Sequence, residues 1–387
     1  MTKTVVIFSW IIIIIGLIIV GLFLFKANQD GLTISFKGIT NYEKTGQFGD
    51  YIGGVIGTFF SLAGTLLLIA TFKEQQKENQ RNAFESYYFE MIRLYKENVT
   101  ELKYSKYKNG QPITYENRQV IRKIFEEFIE CYREIRKFSN SQNEGDYISN
   151  KYLIILKNII KNNNLKIDPI ELARIDIAYS VVFFGLGTEG ESIVRKIIRK
   201  RYNPDYYYKL LFYLKLKPKK SNKERYKIWE ELRGLPLKEL MEVVIELYNN
   251  KNNLNQPKVL SELSTKFKLH LEYEKYYGGH QFRLGHYFRH LFQAYKFLNS
   301  NKNLNKIQKY NYGKMLRAQL STYEQALLLI NSITPLGMKW EYLAGNDENK
   351  LITQYQLIKN LPGEQIFGIK YKAYYPKIKF EGEENIL

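Results

Sequence analysis

Between Gly279 and Leu298 the chain reads GHQFRLGHYFRHLFQAYKFL, and all four histidines of the protein, His270, His280, His286 and His290, fall inside this stretch or just before it. Imidazole gives and takes protons near neutrality, and guanidinium is well matched to phosphate, so a segment that gathers both can run acid–base or phosphoryl chemistry. If Phe282 to Leu298 is a helix, Arg283, His286 and His290 recur at spacings of three and four and share one face, with Arg289 close beside it. Phe288, Leu291, Phe292 and Tyr295 then form the apolar side. The same pattern also describes a packed helix whose polar groups bond to neighbours, with Glu324 and Glu341 as the expected partners.

Metal-free RNA cleavage needs an imidazole to move protons and a cation to stabilise the pentavalent phosphate. Arg283 with His290, or Arg289 with His286, offers that pair. The segment resembles the HEPN ribonuclease motif, an arginine and a histidine on one helix, here with six residues between Arg283 and His290; Leu284 stands where that motif has a polar residue. His286 and His290 have the spacing of a helical zinc pair, and His270 or His280 would have to supply a third ligand. Tyr287 replaces the glutamate of a zinc protease, so no metal is expected. No GxxxxGK followed by Ser or Thr occurs, and no cofactor is expected. Cys131, the lone cysteine, has no partner for an internal disulfide, which fits a reducing compartment.

The chain has 387 residues and a net charge of +19. Through Phe72 it carries four lysines against three acids, so +18 belongs to the rest. A basic balance of this kind favours anionic lipid or nucleic acid as a partner.

Two stretches could not belong to a water-soluble surface. Val5 to Phe25 is an uncharged apolar run long enough to cross a bilayer, and longer than the apolar region of a signal peptide. Tyr51 to Phe72 is a second span. Residues 1–72 are therefore read as a transmembrane helical hairpin in the cell membrane, multi-pass, with Lys73, Lys77 and Arg81 favouring a cytoplasmic amino terminus and carboxy-terminal region. Gly49, Gly53, Gly57 and Ser61 place small side chains on one face of the second span. Contact with the first span of the same chain is the favoured use of that face, and a homo-oligomer the other.

Residues 73–335 read as a helical cytosolic domain, giving a mainly α fold overall. Phe84, Tyr88, Met91, Tyr95, Val99 and Leu102 mark a helix leaving the membrane, either as a stalk or as a core-facing element, interrupted by Asn109, Gly110 and Pro112. Ile121 to Ile135 is a second helix. Asp168, Pro169 and Glu171 open a third, unusually apolar one, a central core helix stopped by Gly185 and Gly187. Asn203 with Pro204, and Ser221 with Glu224, start others. Tyr206, Tyr207, Tyr208, Phe212 and Tyr213 beside lysines could stack bases, though an amphipathic helix with a basic edge is the favoured reading. Leu237 to Tyr248, Leu304 to Leu320 and Ser321 to Asn331 are further helices, the last opened by a Ser321–Glu324 capping box. Residues 336–387 read as an irregular extension in which Ile366 to Phe380 forms a short strand pair.

Three stretches together resemble the AbiC-type phage abortive-infection proteins: FGDYIGGVIGTFFSLAGTLLLIATF with the following KEQQ, LGHYFRHLFQAYKF, and YGKMLRAQLSTYEQALLLIN. The resemblance runs from Gly46 to Asn331. It implies a membrane-anchored bacterial defence protein that stops phage multiplication at the expense of the infected cell. It supplies no catalytic residues, so His286, Arg289, His290, Arg317 and Tyr323 enter as positions in the matching segments. Three readings follow: a sensor or effector recognising a phage protein, a tethered HEPN-like endoribonuclease acting on RNA through Arg283, His286, Arg289 and His290, or an oligomer that permeabilises the membrane.

Overall fold

The computed structural model describes residues 2–29, 42–108, 111–251, 261–267, 272–345 and 349–381. The chain is mainly helical and divides into two units, Met1–Phe89 and Glu90–Leu387. His270 and most of the polar run after Tyr248 lie outside the described residues.

In the first unit, α1 (Thr2–Gln29) is followed by α2 (Tyr42–Tyr51), a π-helical turn (Ile52–Ile56) and the start of α3 (Gly57–Thr100). Two helical stretches, Lys3–Gln29 and Tyr42–Thr100, contain windows of mean hydropathy 3.1 and 2.0, apolar and long enough to cross a membrane by length and composition. They touch each other. Phe23 stacks on Tyr51 with ring centroids 4.1 Å apart, and a Cβ placed on Gly16 would lie 3.5 Å from Phe59. The glycine face of the second stretch is used differently from expectation. A Cβ on Gly49, Gly53 or Gly64 would meet nothing within 4 Å, and one on Gly57 would approach only the Ile52 carbonyl. The first span therefore packs on Tyr51 and Phe59, because bulky rings interdigitate where the helices meet, and the small-residue face stays open.

The second unit takes the end of α3 and then a β-hairpin, β1 (Lys103–Lys108) antiparallel to β2 (Gln111–Glu116). Pro112 tolerates this edge position because a two-stranded sheet leaves outward-facing donors unneeded. After it come α4 (Arg118–Lys137), α5 (Asn150–Asn162), α6 (Pro169–Phe184), α7 (Thr188–Arg199), α8 (Pro204–Leu216), α9 (Lys223–Gly234), α10 (Leu237–Asn250) and the short α11 (Glu262–Lys266). The unit closes with α12 (Gln281–Ser300), α13 (Lys306–Arg317), α14 (Thr322–Ile333), α15 (Leu351–Tyr355) and α16 (Tyr371–Tyr374).

The core is built on α4, α6 and α14. Asp168 caps α6 by accepting from the Ile170 amide at 2.9 Å, Pro169 supplies a first residue that needs no donor, and Gly185 ends the helix at φ +87°. Between those stops lie Ile175, Ala178, Val181 and Val182, all buried. The buried charge on α6, Asp176, is met by Tyr202 at 2.5 Å and Arg201 at 3.0 Å. Asn222, rather than Ser221, caps α9, accepting from the Arg225 amide at 3.1 Å; both residue types can serve, and the chain starts the helix one residue later. Tyr207 and Tyr213 of α8 are buried, with the Tyr213 hydroxyl on Glu134 at 2.7 Å. Tyr207 and Tyr213 thus belong to the core, while Tyr206, Tyr208 and Phe212 are half-buried, as the amphipathic reading expects.

Ser321 and Glu324 form the expected capping box, the Glu324 carboxylate accepting from the Ser321 amide at 2.7 Å. The other oxygen of Glu324 accepts from Tyr95 at 2.5 Å. This ties the last turns of α3, where Tyr95, Val99 and Leu102 are buried, into the helical core. Tyr95→Phe should lower stability by about 1.5 kcal/mol, the loss of one hydrogen bond to a charged acceptor; thermal unfolding indistinguishable from the parent would show that the contact holds nothing.

Residues 336–381 do not form strands among the described residues. Ile366 and Ile369 make a single bridge, and α16 follows at once. Ile366, Ile369, Tyr371, Tyr374 and Ile378 are buried, so their alternation serves packing into the helical unit and not a ladder.

Candidate functional site

The backbone crosses itself where α6 ends and α12 begins. The His280 amide donates to the Phe183 carbonyl and the Leu186 amide to the Tyr277 carbonyl, both at 2.8 Å. Gly185 and Gly279 meet at this crossing, each with φ +87°. Clefts open on both sides of it.

One cleft lies toward the hairpin. It has a volume of about 970 Å³ and is lined by Tyr104, Lys106, Lys219, Tyr276, His280 and Arg283 among others. Beneath it sits Glu127, fully buried. Tyr104 donates to one Glu127 oxygen at 2.9 Å, and Lys106 stands 3.2 Å from it. His280 Nε2 faces the other oxygen at 3.4 Å. Arg283 Nη1 lies 3.2 Å from the other ring nitrogen, His280 Nδ1. Burial works to raise the Glu127 pKa, but His280, then Lys106, and the hydrogen bond from Tyr104 outweigh it and hold the carboxyl at about 2. Tyr104 is pushed up by its burial and by Glu127, so it stays a donor. Glu130 behaves similarly: burial opposes its charge, and Lys217 at 3.1 Å with Tyr276 at 2.6 Å hold its pKa down.

The second cleft, of about 990 Å³, lies on the opposite side of the crossing. His286 and Arg289 line it together with Lys339, Phe282, Trp340 and the start of α7. Phe292 and Trp340 meet edge to face at 4.9 Å. Glycines let this wall close up. A Cβ on Gly190 would lie 2.2 Å from the Phe184 carbonyl oxygen, and one on Gly337 2.2 Å from the Asn331 side-chain oxygen.

The four residues singled out on the histidine helix thus separate. His286 and Arg289 come together on one cleft. Arg283 belongs to the other, where burial lowers its pKa and its Nε donates to the Lys103 carbonyl at 2.8 Å. His290 lines neither; its Nε2 donates to the Met91 carbonyl at 2.9 Å. The carboxylates expected as partners are engaged elsewhere, Glu324 as described and Glu341 by Thr353, whose amide donates at 3.1 Å. Among the described residues no three His, Cys, Asp or Glu side chains gather as metal ligands.

Glu127 and the Gly185–Gly190 loop are the parts sequence reasoning missed. Glu127 is one acid among several on α4, and only its 3.6-residue phase with Phe128 and Ile124 hinted at burial. The loop reads GLGTEG, a spacing known from dinucleotide sites, but it follows a helix and not a strand, outside the context that gives that spacing its usual meaning.

A family model described as "Putative phage abortive infection protein" matches residues 279–366. It begins at the glycine crossing, takes in all of α12, α13 and α14, and continues through α15. The resemblance read from LGHYFRHLFQAYKF and YGKMLRAQLSTYEQALLLIN lies inside this match, which runs beyond Asn331, whereas the membrane-like stretch from Phe48 to Gln76 lies outside it. Neither a curated protein nor a solved structure matches the chain.

Proposed function

We infer that the chain is a membrane-anchored phage-defence protein acting by abortive infection, with the helical unit as sensor and effector and α12 as its recognition element. The observation that carries this reading is the family match, which starts at Gly279 and so contains the helix that lines both clefts. Two helical stretches of spanning length support the anchor. In this reading the amino terminus and the helical unit face the cytoplasm, and the basic surface lies near inner-membrane lipid. A phage protein is the trigger.

An endoribonuclease is the second reading. It is favoured by His286 and Arg289 sharing one cleft, and it would use that pair, since Arg283 and His290 are each held by a backbone carbonyl. A membrane-permeabilising homo-oligomer is a third, favoured by the open small-residue face at Gly49, Gly53 and Gly64.

Phage plating on cells expressing variants tests these readings. Arg289→Glu, an exposed change, should return plating to the level of cells lacking the protein while its amount in the membrane fraction is unchanged. His286→Gln should keep protection if the cleft only recognises, and lose it if the imidazole moves a proton. Full protection by Arg289→Glu would remove α12 from the mechanism.

A further inference from the structure

The two clefts differ in what their charges already do. Toward the hairpin, Lys106 pairs with Glu127, Lys123 with Glu126 at 2.6 Å and Lys219 with Glu274 at 3.1 Å. Most of the lysines of that cleft therefore already have a carboxylate partner, and Arg283 is taken up by the Lys103 carbonyl. On the other side Arg289, Lys339 and His286 have no hydrogen bond or ion pair among the described residues. They line a cleft in which, among the described residues, Glu189 is the one acid.

Two cations without a protein partner, beside an imidazole in the same open cleft, favour an anion. The backbone adds to this. α7 and α12 both begin at the cleft and neither carries a side-chain cap, so the first amides of each have no side-chain acceptor. An apolar component stands beside the cations. Phe282 is 68% exposed, and Leu336 and Ile193 at the same wall are 40% and 37% exposed. Large apolar groups gathered at a cavity mouth are commonly covered by something. A volume of about 990 Å³ is the size of a small-molecule site.

We propose that this cleft binds a nucleoside phosphate, its phosphate held by Arg289 and Lys339 and its base lying against Phe282. Inorganic phosphate would meet the charges and leave the aromatic wall without a use, whereas a lipid would bring acyl chains and not a planar ring to Phe282, which the competition below distinguishes. The proposal deepens the reading of α12 as the recognition element, but binding to the purified protein does not depend on whether the chain aborts infection.

The test is equilibrium binding of ATP to the full-length protein in neutral detergent, with pyrophosphate and a short-chain phosphatidylglycerol as competitors. ATP should bind saturably and more tightly than pyrophosphate. Arg289→Glu should weaken it by about 10- to 100-fold, the effect of removing a charge-assisted hydrogen bond. Phe282→Ala should bring ATP affinity down to that of pyrophosphate, and Lys219→Ala, in the other cleft, should change nothing. No saturable ATP binding overturns the proposal. So does ATP binding indifferent to Arg289→Glu, pyrophosphate matching ATP on the parent protein, or the lipid displacing ATP at lower concentration than ATP itself requires. A plating defect without ATP binding would leave the defence reading standing and this one refuted.

Discussion

Glu127→Ala should cost about 3 to 5 kcal/mol of stability, because it removes one side of a buried charged network, leaving Lys106 and Tyr104 without their acceptor and His280 without the carboxylate it faces. For a unit of this size that is a fall of about 6 to 10 °C in unfolding temperature. The network also fixes a pH dependence. The carboxyl sits at about 2 in the fold against 4.5 ordinarily. The unfolded chain therefore binds the proton first as pH falls, and the contribution is complete above about pH 5 and lost progressively toward about pH 2. The shift corresponds to about 3 kcal/mol. Glu127→Gln keeps the shape and the Tyr104 bond, so it should lie between the parent and the alanine variant and flatten the acid limb. An alanine variant that melts with the parent, or an acid limb unchanged in Glu127→Gln, would mean the network does not hold the hairpin side of the site.

Gly279→Ala should be comparably damaging, while Gly278→Ala, one residue away, should be close to neutral. A Cβ on Gly279 would lie 2.5 Å from the Phe184 carbonyl oxygen and 2.7 Å from its carbon, at φ +87°. The neighbours are backbone and cannot rotate aside. Left-handed strain and overpacking together amount to about 2 to 5 kcal/mol. A Cβ on Gly278 meets nothing within 4 Å, and its φ is ordinary. Comparing urea midpoints of the two variants isolates the crossing from the general effect of losing a glycine. Equal midpoints would mean the α6–α12 crossing is free to adjust.

Helices opened by strong local chemistry were legible in the sequence. Asp168–Pro169, Asn203–Pro204 and Ser321–Glu324 start α6, α8 and α14 where cap rules put them, and the apolar face of α12 appears at its expected spacing. The hairpin was misread although its signal was present: Asn109 and Gly110 separate two six-residue strands, a two-residue hairpin spacing, yet they read as helix breakers because the strands carry lysines in place of an apolar face. The site was half legible. Histidine clustering led to α12, but which cleft each side chain enters depends on Lys103 and Met91 carbonyls far away in sequence. Glu127, contributed by α4, carries no local mark of its role.

Gly278, Gly279 and Phe282 line both clefts, so the two share that stretch as a partition. Hydrogen bonds and glycine contacts hold that partition against the end of α6. Any occupant of one cleft that moves the partition changes the dimensions of the other. By thermodynamic reciprocity, the second cleft must then favour or resist the first occupant by the same coupling free energy.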